Sequence, residues 1–165
     1  MSDHPIWQNL FRPRPDRLTA STRLWQNTPL FGGISERRAR QLVAGMHHRR
    51  YRDGEAVFRQ GDAGAGAALV YSGGVDIRAG ETLLAELEPG DFFGEVALVN
   101  DEPRTADAWA RGETELLFLM RPNLHEWVQR SPRSGSRFMT NLAQVLAGRL
   151  RRANQQLKLP DVGTG

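Results

Sequence analysis

The 165 residues predict a mainly β chain with flanking helices, folded as a β-sandwich or jelly roll. Two observations carry this prediction. Between Tyr51 and Met120, short β-branched or apolar runs alternate with glycine turns at Asp53-Gly54, Gly61-Asp62, Ser72-Gly73-Gly74, Ala79-Gly80, Pro89-Gly90 and Gly112. Short strands with regular turn punctuation belong to closed antiparallel architectures. On either side of that stretch, apolar residues recur at helical spacing instead.

In chain order, Met1 to about Asp16 carries Pro5, Pro13 and Pro15 and reads as an irregular arm, with Trp7, Leu10 and Phe11 apolar enough to dock. Ser35 is placed to cap a helix whose Ala39, Leu42, Val43 and Met46 share one face. Within the β region, Ala79-Gly80 joins Val75-Asp76-Ile77-Arg78 to Thr82-Leu83-Leu84-Ala85 as a tight hairpin. Pro122 opens a helix to about Gln129, which Ser131-Pro132 breaks. A last helix, Arg133 to about Lys158, bears an apolar stripe of Phe138, Leu142, Val145, Leu146, Leu150 and Leu157, and Pro160 ends it. The organisation expected is an arm over 1–17, one domain over 18–158 and a tail over 159–165.

Composition narrows the classes. Cysteine is absent, which removes disulfides, thiolate metal sites and thiol nucleophiles together. Lys+Arg 22 against Asp+Glu 19 is too small an excess to argue for nucleic acid. No apolar run resembles a signal peptide or reaches the roughly 20 residues that span a bilayer. A cytoplasmic, bacterial-type protein is the expectation. The pairs Arg37-Arg38, Arg49-Arg50 and Arg151-Arg152 read as solvated faces. His47 and His48 are adjacent, so on a strand they point to opposite faces and cannot share a metal. With His4 and His125 far off in sequence, a metal cluster and metal-dependent hydrolysis are not expected.

The chemistry concentrates in Phe92-Phe93-Gly94-Glu95-Val96-Ala97-Leu98 and in Pro103-Arg104-Thr105-Ala106, which set a carboxylate and a guanidinium nine residues apart. Gly94 lets the backbone approach a ligand closely. A short helix opened by Gly94-Glu95-Val96-Ala97 would offer free N–H groups to an anion. Arg104 can make a forked pair to phosphate oxygens, whereas ionised Glu95 suits a sugar hydroxyl and repels phosphate. A compact sugar phosphate of low charge fits both. Alone, Arg104 reads equally as an arginine bridging two strands, and Glu95 as an exposed turn carboxylate.

This constellation resembles the phosphate-binding cassette of the cyclic-nucleotide-binding domain family. Gly94, Glu95, Val96 and Ala97 fall on its Gly-Glu-aliphatic-Ala segment, and Arg104, between Pro103 and Thr105-Ala106, falls on its phosphate arginine with no gap. Leu24-Trp25-Gln26-Asn27-Thr28-Pro29-Leu30-Phe31, Asp53 to Asp62, Tyr71 to Val75 and Leu87 to Phe93 continue the likeness, which covers roughly Leu24 to Leu157. The resemblance implies a β-roll, or double-stranded jelly roll, with N-terminal helices and a long C-terminal helix. It implies cAMP or cGMP as ligand and no cofactor, with Glu95 on the ribose 2′-hydroxyl and Arg104 on the cyclic phosphate. Thr105 accompanies guanine recognition in some members and appears in cAMP-responsive ones too, so it leaves the purine open.

The same resemblance has the last helix either packing on its own barrel or pairing with a second chain, and supplying a residue to the base, with Asn141, Gln144 and Arg149 as candidates. No helix-turn-helix follows Leu157 in this sequence, so DNA binding by this chain alone is not expected. Output through a partner protein or a homodimer is. Asp107 departs from the pattern: facing the pocket it would oppose a phosphate, facing outward it would be harmless, and strand alternation leaves both open. A ligand-free scaffold and a cyclic di-GMP receptor are the alternatives to a second-messenger sensor, and an enzyme is not expected.

Overall fold

The computed structural model describes residues 15–157. The arm read over 1–17 therefore lies almost wholly outside the described residues, as do the tail and the helix end at Pro160. In order come α1 (Pro15–Gln26), a 3₁₀ turn (Pro29–Phe31), α2 (Glu36–Val43), β1 (His47–Tyr51), β2 (Ala56–Phe58), β3 (Gly66–Ala79), β4 (Thr82–Leu87), β5 (Phe92–Phe93), a second 3₁₀ turn (Glu95–Leu98), β6 (Asp107–Met120), α3 (Arg121–Arg130) and α4 (Pro132–Leu157).

All strand pairs are antiparallel, in the order β1-β6-β3-β4, with β2 also on β6 and β5 on β3. The expected roll is present. Its spine is the pairing of β3 with β6, from Gly66 opposite Met120 to Arg78 opposite Asp107. Alternate residues of this pair point to opposite faces, and both faces are buried. Ala67, Leu69, Leu117 and Leu119 join the helices in one core, whereas Ala68, Val70, Leu116, Ala108 and Ala110 fill the interior of the roll. Gly66 is required where the strands meet, since a Cβ there would stand 2.2 Å from the Leu119 carbonyl oxygen.

The local signals act as their chemistry demands. Ser35 Oγ accepts from Arg38 N–H, capping α2, and Ala39, Leu42 and Val43 face the core. Met46 is buried beside them although the helix ends at Val43. Ala79 pairs with Thr82 across Gly80-Glu81, with Gly80 at φ +58°, which closes the expected hairpin. Pro122 lies in the first turn of α3, and Ser131 leaves the helical conformation, with φ −135° and ψ 66°, before Pro132, which starts α4. One helix exceeds the reading: α1 begins at Pro15 and buries Trp25 completely against Phe31.

The α4 stripe divides. Phe138 and Leu142 are sealed against the core and Val145 and Leu146 are half-buried, but Leu150 is 63% and Leu157 84% exposed. Near its start α4 presses on α3 at Gly135, where a Cβ would lie 2.7 Å from Val128 Cγ1 and 2.9 Å from its Cα. In an open helix, Gly→Ala adds roughly 1 kcal/mol of stability. Here the sign reverses: Gly135→Ala is expected to lower stability by about 1–3 kcal/mol through overpacking. Chemical denaturation measures it, and a gain would show that α3 and α4 separate freely.

Candidate functional site

β5 pairs with β3 through Phe92 and Phe93, and the chain then turns sharply at Gly94, with φ +72° and ψ 19°. That left-handed backbone launches the 3₁₀ turn Glu95–Leu98, in which Ala97 N–H donates to the Gly94 carbonyl at 3.2 Å. Glu95, Ala97 and Leu98 of this turn are buried, and Val96 is 47% exposed. The return stretch is held by Arg104 N–H donating to the Asp62 carbonyl and by Gly61 N–H donating to the Arg104 carbonyl, both at 2.8 Å.

Arg104 lies across the start of this turn. Its Nη2 donates to the Gly66 carbonyl at 2.8 Å and its Nη1 to the Gly94 carbonyl at 3.2 Å. The guanidinium carbon stands 4.2 Å from the centroid of the Phe58 ring, a cation–π contact. Nε is buried without a partner. Burial pulls the guanidinium below its ordinary value, with Glu95 and Asp62 acting in the opposite sense, and it remains a cation throughout. Gly94 also makes room for Arg104, since a Cβ at this position would stand 2.5 Å from Arg104 Nη1.

Glu95 is 2% exposed. Its Oε1 accepts from Arg149 Nη1 of α4 at 2.6 Å, and its Oε2 is buried with no partner. Arg149 also donates from Nη2 to the Phe92 carbonyl at 3.1 Å, with its guanidinium 5.1 Å from the Phe92 ring centroid. One α4 side chain thus grips the cassette at three points.

Together these elements enclose a cavity of about 780 Å³, within the range of small-molecule sites. The expected residues Gly94, Glu95, Val96, Ala97, Arg104 and Thr105 all line it. The β4 hairpin supplies apolar wall through Leu84 and Leu87. Arg149, Arg152, Ala153 and Gln156 close it from α4 at helical spacing. Of the three helix residues proposed for a base, only Arg149 reaches this cavity. Asn141 instead donates to the Leu30 and Gly32 carbonyls, and Gln144 lines a separate hollow with Pro29. Arg152 and Gln156 escaped the sequence reading, because the stripe revealed which face of α4 is apolar but not where the cavity meets its last turns.

Asp107 takes the outward alternative. Its Oδ1 accepts from Gln60 N–H at 2.7 Å, closing the Arg59–Asp62 turn away from the cavity. His47 and His48 do diverge, with His48 bonded to Glu115 and His47 exposed. No helix among the described residues is long and apolar enough to cross a membrane.

Comparison with known proteins gives the same fold. The family model described as cyclic nucleotide-binding domain matches residues 48–131. The chain is 36% identical over 139 residues to the cyclic AMP receptor protein of Thermus thermophilus, covering 81% of this chain and 62% of that one. It is 34% identical over 93 residues to the cAMP-dependent protein kinase regulatory subunit of Mycosarcoma maydis, covering 54% and 18%. The chain therefore spans under two thirds of either relative. Among solved structures, the N-terminal domain of a transcriptional regulator from Streptomyces coelicolor A3(2) superposes with TM-score 0.68 at 28% identity, covering 86% of this chain and 99% of that one.

The Glu95–Arg149 pair has a measurable consequence. Arg149→Met strands a buried carboxylate and is expected to lower stability by about 1–3 kcal/mol, less than for a fully buried pair because Arg149 is 40% exposed. Adding Glu95→Gln should restore part of the loss. A double-mutant cycle by denaturant titration tests this, and strictly additive losses would mean that the pair contributes nothing.

Proposed function

The chain belongs to the cyclic nucleotide-binding domain family, and we propose that its cavity takes a cyclic purine mononucleotide, cAMP or cGMP, as the signal of a regulatory module. One observation carries the reading. Two oppositely charged groups on the same cavity wall each have a buried atom without a partner, Oε2 of Glu95 lacking a donor and Nε of Arg104 lacking an acceptor. A ribose hydroxyl is the donor that suits the first, and a phosphodiester oxygen the acceptor that suits the second. A cyclic phosphate is a monoanion, so a single guanidinium with oriented N–H groups at the start of the Glu95–Leu98 turn can balance it without a metal.

The apolar wall of Ile77, Leu84 and Leu87 suits a purine face, and Thr105 stands on the cavity lining without choosing between adenine and guanine. Asp107, which could have opposed a phosphate, is occupied by Gln60 N–H; that supports a ligand-binding domain over a ligand-free scaffold.

In this reading the ligand acts on α4 through Glu95. A hydroxyl arriving at the carboxylate changes the strength of its hold on Arg149, and the position of α4 responds by population shift. The exposed Leu150 and Leu157 then pass the change to a second copy or to a separate protein.

Titration calorimetry with cAMP, cGMP and cyclic di-GMP is the test. Micromolar or tighter binding of a mononucleotide is expected, weakened about a hundredfold or more by Arg104→Ala, with the fold checked by circular dichroism. Absence of heat with both mononucleotides would overturn the proposal, and binding of cyclic di-GMP alone would replace it.

A further inference from the structure

Away from the cavity, a single carboxylate gathers partners from several elements. Glu115 of β6 is 8% exposed. It accepts from Arg17 of α1 and, at 2.8 Å, from His48 Nδ1 of β1, and it stands 3.7 Å from Arg50 Nε of β1. His48 Nε2 is 3.4 Å from Ser21 Oγ of α1. Tyr71 of β3 completes the cluster, with the His48 ring edge-on at 5.4 Å and the Arg17 guanidinium carbon 5.7 Å from its centroid. None of these residues lines the nucleotide cavity.

Ser21, His48 and Glu115 stand in the order of a nucleophile, its base and an orienting carboxylate. Ser21 is only 1% exposed and sits in the middle of α1, so no substrate reaches its hydroxyl and hydrolysis is excluded. What the cluster does instead follows from where α1 leads. Arg17, Ser21 and Trp25 recur one turn apart on the same helix face. Trp25, wholly buried, packs 6.4 Å from the Phe92 ring, whose carbonyl and face hold Arg149. One face of α1 therefore joins the Glu115 cluster at one end and the underside of the cassette at the other.

We propose that the Arg17–His48–Glu115 cluster is a proton-sensitive latch on α1, and that α1, through Trp25 and Phe92, is a positioning element for the ligand cavity. With His48 neutral, Nδ1–H donates to Glu115 and Nε2 accepts from the Ser21 hydroxyl. Both bonds close and α1 is seated. A proton on Nε2 removes that acceptor and adds a third cation to Arg17 and Arg50 around one carboxylate.

Burial holds His48 below the ordinary imidazole value of 6.5, helped by Arg17 and Arg50 and opposed by the Glu115 hydrogen bond and charge. A histidine lowered in the seated state binds protons more readily when α1 is released. The seat is therefore complete above pH 6.5 and weakens as pH falls below it. The charged and titratable groups that face His48 are Arg17 from α1, Arg50 from its own strand, Tyr71 from β3 and Glu115 from β6. The effect on ligand affinity rests on the nucleotide reading, but the effect on α1 does not.

Hydrogen exchange of the 16–26 amides in the full chain, without ligand, tests the latch at pH 7.5 and 5.5, with rates expressed as protection relative to the intrinsic rate at each pH. Protection of α1 should fall by roughly threefold or more at the lower pH while the 116–119 amides of β6 hold. In His48→Gln, which keeps a donor for Glu115 and does not titrate, the difference should vanish. Equal protection of wild-type α1 at both pH values would overturn the latch, whether or not the variant folds. A pH effect that persists in His48→Gln would overturn the assignment to His48.

Calorimetry with cAMP and cGMP at the same two pH values reads the coupling. Affinity should fall with α1 protection in the wild type and stay level in the variant. Loosening of α1 with constant affinity would overturn the positioning role. If neither nucleotide binds at either pH, the proposed function fails and hydrogen exchange alone judges the latch.

Discussion

Burying both faces of the β3–β6 pair is the constraint on which the rest of this structure hangs. A strand with one wet face would tolerate polar residues at every second position, but Gly66 to Val70 and Leu116 to Leu119 have almost none to spare. One face needs the helices as a lid, which recruits Trp25, Phe31, Leu42, Leu124 and Phe138 from five separate segments. The other needs β1, β2 and β5 to wrap the roll interior around Val70, Val75 and Phe93. Phe92 and Phe93 of the short β5 hold to the outer edge of that pairing, so the cassette is positioned by the same ladder that organises both cores.

Against this apolar background the charged groups are few and expensive. Glu95 and Arg104 are taken out of water within one loop and return, and each is held by groups from elsewhere in the chain. Arg104 answers to the Gly66 and Gly94 carbonyls and the Phe58 face, Glu95 to Arg149. Desolvated charges respond strongly to small changes in their partners, because little solvent screens them. That is why Arg149 matters beyond packing: it joins the carboxylate of the cassette to the helix whose far end is exposed. Glu115 repeats the pattern away from the cavity, where one buried carboxylate bonds to Arg17 of α1.

Where a feature follows from a residue and its immediate neighbours, it was legible in the chain. Ser35 caps α2, Gly80 closes the β3–β4 hairpin, Pro132 divides α3 from α4, and Gly94 takes the left-handed turn that the cassette demands. Features that depend on what lies across a gap were not. Asp107 faces Gln60 because the turn before β3 comes to rest there, and nothing in the alternation of β6 says so. Met46 is buried outside the helix whose period it shares, and α1 starts within a stretch whose prolines suggested an arm, since Pro15 at a first helical position is harmless.

By itself, the sequence determined the class of fold and singled out the Gly94–Thr105 residues that line the cavity, because turn chemistry, hydrophobic period and the spacing from Glu95 to Arg104 are all local quantities. Tertiary structure alone decided that Arg149, and not Asn141 or Gln144, meets Glu95, that Arg152 and Gln156 close the cavity, and that Arg17, His48 and Glu115 converge. Those pairings span 54, 98 and 67 residues for Glu95–Arg149, Arg17–Glu115 and His48–Glu115 respectively. Which long-range partner a charged side chain finds is settled by how helices dock on the roll, and docking is a property of the assembled cores.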